Sequence, residues 1–295
     1  MSTYRPHPRW APWAFIAPFV ILFAVFTAWP LLRSLQLAFE QTYGPQTTVF
    51  VGLKNFRYLL TDPLFWRAVT NTVEFTVWTV GLQVPIALGL ALLLNRPNLR
   101  GRAVLRLIFF SPSLVGLVFV AMLFMPIFEK RTGLLNVWLH ALWPAWNLEF
   151  PWFETYTMTA LVIAAVWTGA GFMMVYFLAA LQHVPAELLE AAQMDGAGPV
   201  QRFWHVVLPE IRPVLGLMAL LSFVGCMQLF ELSYLMLGDA GSAGARGFSI
   251  VMYLYQMGFT TGDLGYASAI GWVLALFLMA VASAQRRLAR RQLED

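Results

Sequence analysis

The sequence MTALVIAAVWTGAGFMMVYFLAAL, residues 158–181, decides the fold class of this chain. It contains no charged residue and no proline, and its apolar side chains surround a helix on all sides instead of forming one stripe. An α-helix needs about 20 such residues to cross about 30 Å of hydrocarbon. The stretch therefore predicts a membrane-spanning helix.

Five other stretches have the same character: about 12–32, 72–94, 107–127, 213–237 and 267–284. Of the 295 residues, 59% are hydrophobic and only 12% are charged, whereas soluble domains have about 25% charged residues. Several long apolar stretches exclude a soluble enzyme with a single anchor. We predict an all-α, polytopic membrane protein with six transmembrane helices.

Basic residues concentrate on one side of the six predicted spans. Twelve lie on that side: Arg5, Arg9, Arg96, Arg100, Arg102, Arg106, Arg202, Arg212, Arg286, Arg287, Arg290 and Arg291. The other side has seven, spread over longer loops: Arg33, Lys54, Arg57, Arg67, Lys130, Arg131 and Arg246. Because cytoplasmic loops carry the excess of Lys and Arg, we expect an inner-membrane protein with cytoplasmic tails at 1–11 and 286–295.

The chain lacks the residue patterns of an enzyme or a metal protein. Its single cysteine, Cys226, lies in an apolar stretch, and its four histidines have no metal-ligand spacing. No GxxxxGK[ST] phosphate loop occurs, so this chain is not expected to bind ATP in the usual way. The basic residues act as topology signals at span ends. We therefore expect no catalytic residue, metal site or nucleic-acid partner.

The loop at 182–212, which follows the quoted span, predicts two short helices. Pro185 and Pro199 suit the first turns of these helices. Between them, Gly196 and Gly198 permit the positive φ angles of a helix end and a tight turn. The two helices are therefore expected to be joined by a sharp bend.

One face of the first short helix is suited to docking. Leu188, Ala191 and Ala192 share that face, and alanine lets another backbone approach closely. Glu187 and Glu190 rim it with negative charge, which would set the register against a basic partner. On these residues alone, an ordinary interfacial helix with a glycine cap explains the pattern equally well.

The motif in this loop resembles the EAA motif of ABC importer permeases. It reads Glu190-Ala191-Ala192, three residues, Gly196, nine residues and Val206-Val207-Leu208-Pro209, with valine at 206 where isoleucine is commoner. In that family the motif forms the coupling helix that sits in a cleft of the ATPase subunit. The resemblance implies an ATPase-coupling site made of Glu187, Leu188, Glu190, Ala191, Ala192, Asp195, Gly196 and Gly198. Residues 182–212 are called the coupling loop below.

The resemblance covers nearly the whole chain. Within the family, the chain resembles the carbohydrate-uptake branch, which is the maltose and glycerol-3-phosphate type. Supporting segments are Gly52-Leu53-Lys54-Asn55-Phe56, Asp62-Pro63, Asn71-Thr72, Arg100-Gly101-Arg102 and Gly265-Tyr266-Ala267. One departure is Gly238-Asp239-Ala240-Gly241, where the family usually has Thr-x-Gly-Gly-Pro at the outer gate. The resemblance implies a type I ABC importer permease fold and import of an oligosaccharide, a monosaccharide or glycerol-3-phosphate.

The same resemblance implies an assembly of several proteins in the lipid bilayer. A second homologous permease subunit, expected to be a different chain, would pair with this one. Two ABC ATPase subunits would bind ATP and Mg²⁺, and an extracytoplasmic solute-binding protein would deliver the solute. This chain itself would bind no cofactor and would be a non-catalytic translocation subunit.

A solute pathway is implied by family members that bind sugar with their fourth and fifth spans. By distance from the EAA segment, the corresponding residues here are Thr168, Gly169, Phe172, Ser222, Cys226 and Leu229. Phe172 would stack on a sugar ring; helix packing is the alternative role for the small residues. On one continuous helix Glu231 points about half a turn away from Ser222, so both are not expected to line one narrow cavity.

Acidic residues inside the predicted spans leave another class of transporter open. Glu74 and Glu231 are costly there, and either would suit the coupling site of an ion-coupled secondary transporter. That alternative gives the coupling loop no role. Glu231 could instead pair across the permease dimer or contribute to gating, and we favour a structural pairing. A membrane hydrolase is disfavoured because the sequence has no GxSxG elbow.

Overall fold

The computed structural model describes residues 10–43, 47–96, 98–238 and 246–294. Arg5 and Arg9, two of the arginines counted above, lie outside these ranges. Residues 239–241, where the family's outer-gate pattern is lost, also lie outside them. The described chain is mostly helical.

Helices and strands are numbered in chain order. The first half of the chain contains α1 (Ala11–Phe23), α2 (Trp29–Leu37), β1 (Glu40–Tyr43), β2 (Thr47–Phe50), α3 (Lys54–Thr61), α4 (Pro63–Leu94), α5 (Arg102–Phe110), α6 (Leu117–Phe128) and α7 (Leu134–Leu142). The second half contains α8 (Thr157–Gln182), α9 (Ala186–Met194), α10 (Pro199–Arg202), α11 (Leu208–Met227), α12 (Glu231–Leu237), α13 (Ile250–Tyr255) and α14 (Leu264–Glu294). Short π-helical turns lie at Ala24–Ala28, Phe203–Val207 and Gln256–Thr260, and a 3₁₀ turn lies at Ser111–Leu114.

Helices in the described ranges are long and apolar enough to cross a membrane several times. Five continuous stretches qualify: Trp13–Leu37, Pro63–Leu94, Thr157–Gln182, Pro199–Met227 and Leu264–Arg287. A sixth candidate is the pair Arg102–Leu114 and Leu117–Phe128, which is bent by 100°. The prediction of an all-α, polytopic membrane protein is thereby confirmed.

The expected span 107–127 is not one straight helix. Pro112 lies in the 3₁₀ turn, and Val115 and Gly116 adopt extended backbone with ψ angles of 127° and 144°. Proline lacks the amide hydrogen that a helix interior uses, and extended residues end the ladder of helical hydrogen bonds. α5 and α6 are therefore separate helices where hydropathy alone predicted a single span.

The expected span 213–237 is also interrupted. α11 ends at Met227, and its last turn tightens because the amides of Gln228 and Leu229 donate to carbonyls three residues back, at 3.2 and 3.1 Å. Phe230 then leaves the helical region with a φ of −140°, and α12 begins at Glu231. Neither glycine nor proline lies between α11 and α12, so composition did not predict the break.

The described residues form two compact units, of which the first lies within Met1–Asp62 and Leu254–Ala275. β1 and β2 form an antiparallel hairpin there. The buried amide of Asn55 donates to two backbone carbonyls around the start of β1, at 3.0 and 2.9 Å. The hydroxyl of Tyr266 donates to the carboxylate of Asp62 at 2.6 Å. Two sequence segments that carried the family resemblance thus meet in this unit.

The second unit lies within Pro63–Tyr253 and Leu276–Asp295. Its core includes the contact between α4 and α8, where Ala87 and Ala91 belong to the same buried cluster as Phe177. Small residues let two helices approach closely in a membrane. This unit contains both the coupling loop and the cavity described next.

Candidate functional site

The coupling loop contains a short helix that ends in a glycine turn. Pro185 precedes α9 with an extended ψ of 128°, and Gly196 follows it with a φ of +82°. The Gly196 amide donates to the carbonyl of Gln193 at 3.0 Å, and the Ala197 amide donates to the carbonyl of Ala192 at 2.9 Å. Together these bonds form a Schellman motif, whose left-handed position favours glycine. The sequence prediction of a glycine-ended helix agrees with this geometry.

Side-chain hydrogen bonds fix the second short helix against the first. Pro199 occupies the first position of α10, as its fixed φ favours. The Gln201 side chain accepts a hydrogen bond from the Gly198 amide at 2.9 Å. Arg202 donates to the side chain of Gln193 in α9, also at 2.9 Å. The two helices and their turn are thereby held together as one structural element.

The predicted docking face of α9 is open. Leu188 is 44% exposed, Ala191 is exposed and Ala192 is half-buried. Glu187 and Glu190 are exposed beside them. α9 thus presents an apolar strip with an acidic rim that the described part of the chain does not cover.

A shallow cavity of about 390 Å³ lies next to the glycine turn. It is lined by Ala192, Asp195, Gly196, Ala197, Gln201, Arg202, His205 and Val206. Three of the predicted coupling residues, Ala192, Asp195 and Gly196, are among them. All eight predicted coupling residues lie on α9 or in the turn that follows it.

A second, larger cavity of about 450 Å³ lies between the membrane helices and is called the interhelical cavity. It is lined by Phe75, Thr79 and Gln83 of α4, Leu117 of α6, Ala165, Thr168 and Gly169 of α8, Ser222, Gly225 and Cys226 of α11, and the following residues Gln228, Leu229, Phe230, Glu231 and Leu232. Thr168, Gly169, Ser222, Cys226 and Leu229, which the resemblance assigned to the solute pathway, are thus brought together.

Phe172 is the pathway candidate that the structure does not bring to the interhelical cavity. It lies about one turn beyond Thr168 on α8, is 45% exposed, and packs its ring against Tyr176 with centroids 5.0 Å apart. The ring is therefore not part of the cavity lining, and its stacking on a sugar ring stays a prediction.

Gln83 joins the helices that wall the cavity, and sequence reasoning did not assign it to the pathway. The Ser222 hydroxyl donates to the Gln83 side-chain carbonyl at 2.6 Å. The Gln83 amide nitrogen lies against Gly169, where an added Cβ would be 1.9 Å from it. Glycine at 169 thus makes room for a polar side chain of α4. The sequence did contain one indication of this role: Gln83 is a polar amide in an otherwise apolar span, and such a side chain is costly in the membrane unless it has a partner.

Glu231 also lines the interhelical cavity together with Ser222. The prediction that these two residues could not share a cavity was wrong, because it assumed one helix across 213–237. The break after Met227 redirects the chain, so Glu231 begins α12. An acidic residue in the first turn of a helix is favourable. Glu231 was therefore the one indication in the sequence that a new helix begins there.

A comparison with protein families decides the class of the chain. Residues 83–294 match the profile of the binding-protein-dependent transport system inner membrane component. The chain belongs to this family. The matched range contains the whole coupling loop and all the lining residues of the interhelical cavity except Phe75 and Thr79. Membership in this permease family leaves the ion-coupled transporter without support.

Curated relatives in this permease family align over most of their length. The arabinooligosaccharides transport system permease protein AraP of Bacillus subtilis (strain 168) is 36% identical over 275 residues, which are 92% of this chain and 86% of AraP. The lactose transport system permease protein LacF of Rhizobium radiobacter is 32% identical over 285 residues, which are 95% and 94% of the two chains. The resemblance to carbohydrate-uptake permeases is thus confirmed.

A solved structure confirms the fold of the permease family. A chain of the bacterial alginate ABC transporter, crystallised in complex with an alginate pentasaccharide-bound periplasmic protein, matches with a TM-score of 0.83 at 24% identity. The match covers 96% of this chain and 94% of the other. The chain therefore has the type I ABC importer permease fold.

Proposed function

We propose that this chain is one of two permease subunits of an ATP-driven importer and forms part of the pathway for a sugar. The observation that carries the proposal is the exposed coupling loop, shaped by the Gly196 turn, in a member of the permease family. The relatives named for arabinooligosaccharides and for lactose support a saccharide as the solute.

The ATPase partner is inferred from what the chain supplies and what it lacks. Its sequence has no phosphate-binding loop, so ATP and Mg²⁺ would be held by two ABC ATPase subunits. α9 offers them an open strip around Ala191, with the carboxylates of Glu187 and Glu190 at its rim. Small side chains on this strip let a cleft in the partner close around the helix. The proposed coupling site is the full set of eight residues predicted from the motif.

The remaining partners follow from the proposed role. A second homologous permease subunit would complete the pathway, and an extracytoplasmic solute-binding protein would deliver the sugar. We place the chain in the inner membrane with both tails cytoplasmic, because the basic residues concentrate on that side of the predicted spans. The coupling loop is then cytoplasmic, where ATP is available.

The interhelical cavity supplies groups suited to a sugar. Hydroxyl and amide groups of Thr168, Ser222, Gln83 and Gln228 can donate and accept hydrogen bonds to sugar hydroxyls. Half-buried Phe230 adds an aromatic surface to the same wall. Sugar-binding sites combine such apolar surfaces with a few placed polar groups. We therefore assign the solute pathway to this cavity.

A pair of variants on α9 tests the proposed coupling. Ala191→Trp fills the open strip, whereas Ala186→Trp adds the same bulk to an exposed position about 140° away around the helix. The tagged chain, expressed with the proteins encoded beside it, should bring down an ATPase. We expect Ala191→Trp to abolish this association and to reduce ATP-dependent uptake at least tenfold, with Ala186→Trp keeping most of both.

The proposed function fails under two results of that experiment. In the first, the unmodified chain brings down no ATPase. In the second, Ala191→Trp retains the ATPase and full uptake of the transported sugar. The sugar itself is found by measuring uptake of a panel that includes arabinooligosaccharides, lactose and their monosaccharides.

A further inference from the structure

The interhelical cavity carries charge of only one sign among its lining residues. Glu231 is acidic, and none of the lining residues in the described chain is lysine, arginine or histidine. The other polar groups on the wall are the uncharged side chains of Thr79, Gln83, Thr168, Ser222 and Gln228. A solute in this cavity therefore meets one carboxylate and several neutral hydrogen-bonding groups.

The carboxylate of Glu231 is not neutralised by the described part of the chain. The two ion pairs found there are Arg33 with Glu40 and Lys130 with Glu154. Glu231 is exposed at the cavity wall and takes part in neither pair. At an effective dielectric of about 20, typical of charges near a protein surface, this charge still acts on other charges several ångströms away.

We propose that Glu231 sets the charge selectivity of this permease, so that the cavity accepts uncharged polyhydroxyl solutes and disfavours anionic ones. The inference rests on the proposed function and specifies its solute. Sugar hydroxyls can donate charge-assisted hydrogen bonds to the carboxylate. A phosphate or uronate group would instead meet a like charge with no base on this wall to offset it. A neutral saccharide is thus the matching solute class.

Thiol reagents of opposite charge measure this selectivity without knowledge of the solute. Cys226 is the single cysteine of the chain and lines the cavity, but it is buried. We would move the thiol to the exposed wall by Gln228→Cys in a Cys226→Ala background. In the intact transporter, mass spectrometry of this chain would give the modification rates for a cationic, an anionic and a neutral methanethiosulfonate of similar size.

The expected result is a cation-to-anion rate ratio well above one that falls when the charge is removed. A unit charge ~10 Å away at an effective dielectric of ~20 changes the rate for a charged reagent about tenfold. Because the carboxylate raises the cation's rate and lowers the anion's rate by that factor, Glu231→Gln should lower the ratio by about a hundredfold and leave the neutral reagent's rate unchanged. Glu74→Gln is the matched control, because Glu74 is an exposed carboxylate on α4 outside the cavity lining; it should leave the ratio unchanged.

A ratio near or below one in the parent, or the same ratio in Glu231→Gln, would overturn the inference. Failure of the neutral reagent to reach the thiol introduced by Gln228→Cys would overturn it too, since the wall would then be closed to solutes. These results are separable from failure of the proposed function, because ATPase association and uptake are measured on the unmodified chain. If the transporter couples ATP to uptake but shows no charge preference, the proposed function stands and the proposed role of Glu231 fails.

Discussion

Replacing Gly169 by alanine tests whether the contact between Gln83 and Ser222 holds the cavity helices together. An alanine Cβ would lie 1.9 Å from the Gln83 amide nitrogen, well inside van der Waals contact. The clash involves the end of a flexible side chain and not backbone, so Gln83 can rotate away. In doing so it loses the 2.6 Å hydrogen bond from Ser222.

The magnitude follows from that lost bond. A typical hydrogen bond contributes about 1 kcal/mol net, and buried groups left without partners cost about 1–3 kcal/mol. Gln83 is 7% exposed, so its amide would be left largely desolvated. We expect Gly169→Ala to destabilise the chain by about 2 kcal/mol, a factor of about 30 in the unfolding equilibrium. Equilibrium unfolding in mixed micelles, followed by tryptophan fluorescence, measures this change.

Gly225 supplies the matched control for that substitution. It lines the same cavity from α11, but a Cβ added there meets nothing within 4 Å. Gly225→Ala should therefore be neutral or stabilising by up to about 1 kcal/mol, since alanine favours helix. The double variant Gly169→Ala with Gln83→Ala should lose less free energy of unfolding than the sum of the two single variants, because the clash is then absent. Equal effects of Gly169→Ala and Gly225→Ala would refute the contact.

Three further substitutions test other parts of the fold. Gly196→Ala forces a non-glycine residue to a φ of +82° at a cost of about 1–2 kcal/mol. ATP-dependent uptake should therefore fall further than in Gly198→Ala, because alanine readily adopts the φ of −69° found at Gly198. Asn136 is 0% exposed and accepts from the Trp152 indole at 2.9 Å, so Asn136→Ala should cost about 1–3 kcal/mol in the unfolding assay, and a change below about 0.5 kcal/mol would argue against the contact. Tyr266→Phe removes a hydroxyl that donates to a carboxylate at 2.6 Å, so the free energy of unfolding should fall by about 1.5–3 kcal/mol; an unchanged value would contradict the pair.

Local chemistry explains which parts of this structure the sequence predicted. The 24 uncharged residues at 158–181 have one low-energy solution in lipid, a helix, and the structure has α8 at Thr157–Gln182. The turn at Gly196 was predictable because few residues other than glycine tolerate a positive φ. Both features depend on residues close together in sequence.

The features that sequence reasoning missed depend on contacts between distant residues. The break before Glu231 contains no glycine or proline, so hydropathy favoured an uninterrupted helix. Gln83 lines the cavity in contact with Gly169 and Ser222, which lie 86 and 139 positions further along the chain. Phe172 was assigned from the family resemblance by its distance to the EAA segment, which does not determine how far along a helix a cavity extends.

The positions of the two candidate sites suggest how they communicate. α8 ends at Gln182, where the coupling loop begins, and α11 starts at Leu208 within the end of that loop. Gly169 lies 13 residues before Gln182 and Ser222 lies 14 residues after Leu208, so each helix spans about 20 Å between the coupling loop and the cavity. If an ATPase displaces the coupling loop, α8 and α11, two of the helices that line the cavity, are pulled from the same end. The hydrogen bond from Ser222 to Gln83 of α4 links α11 to another part of the wall, so its loss through Gly169→Ala should weaken transport as well as stability.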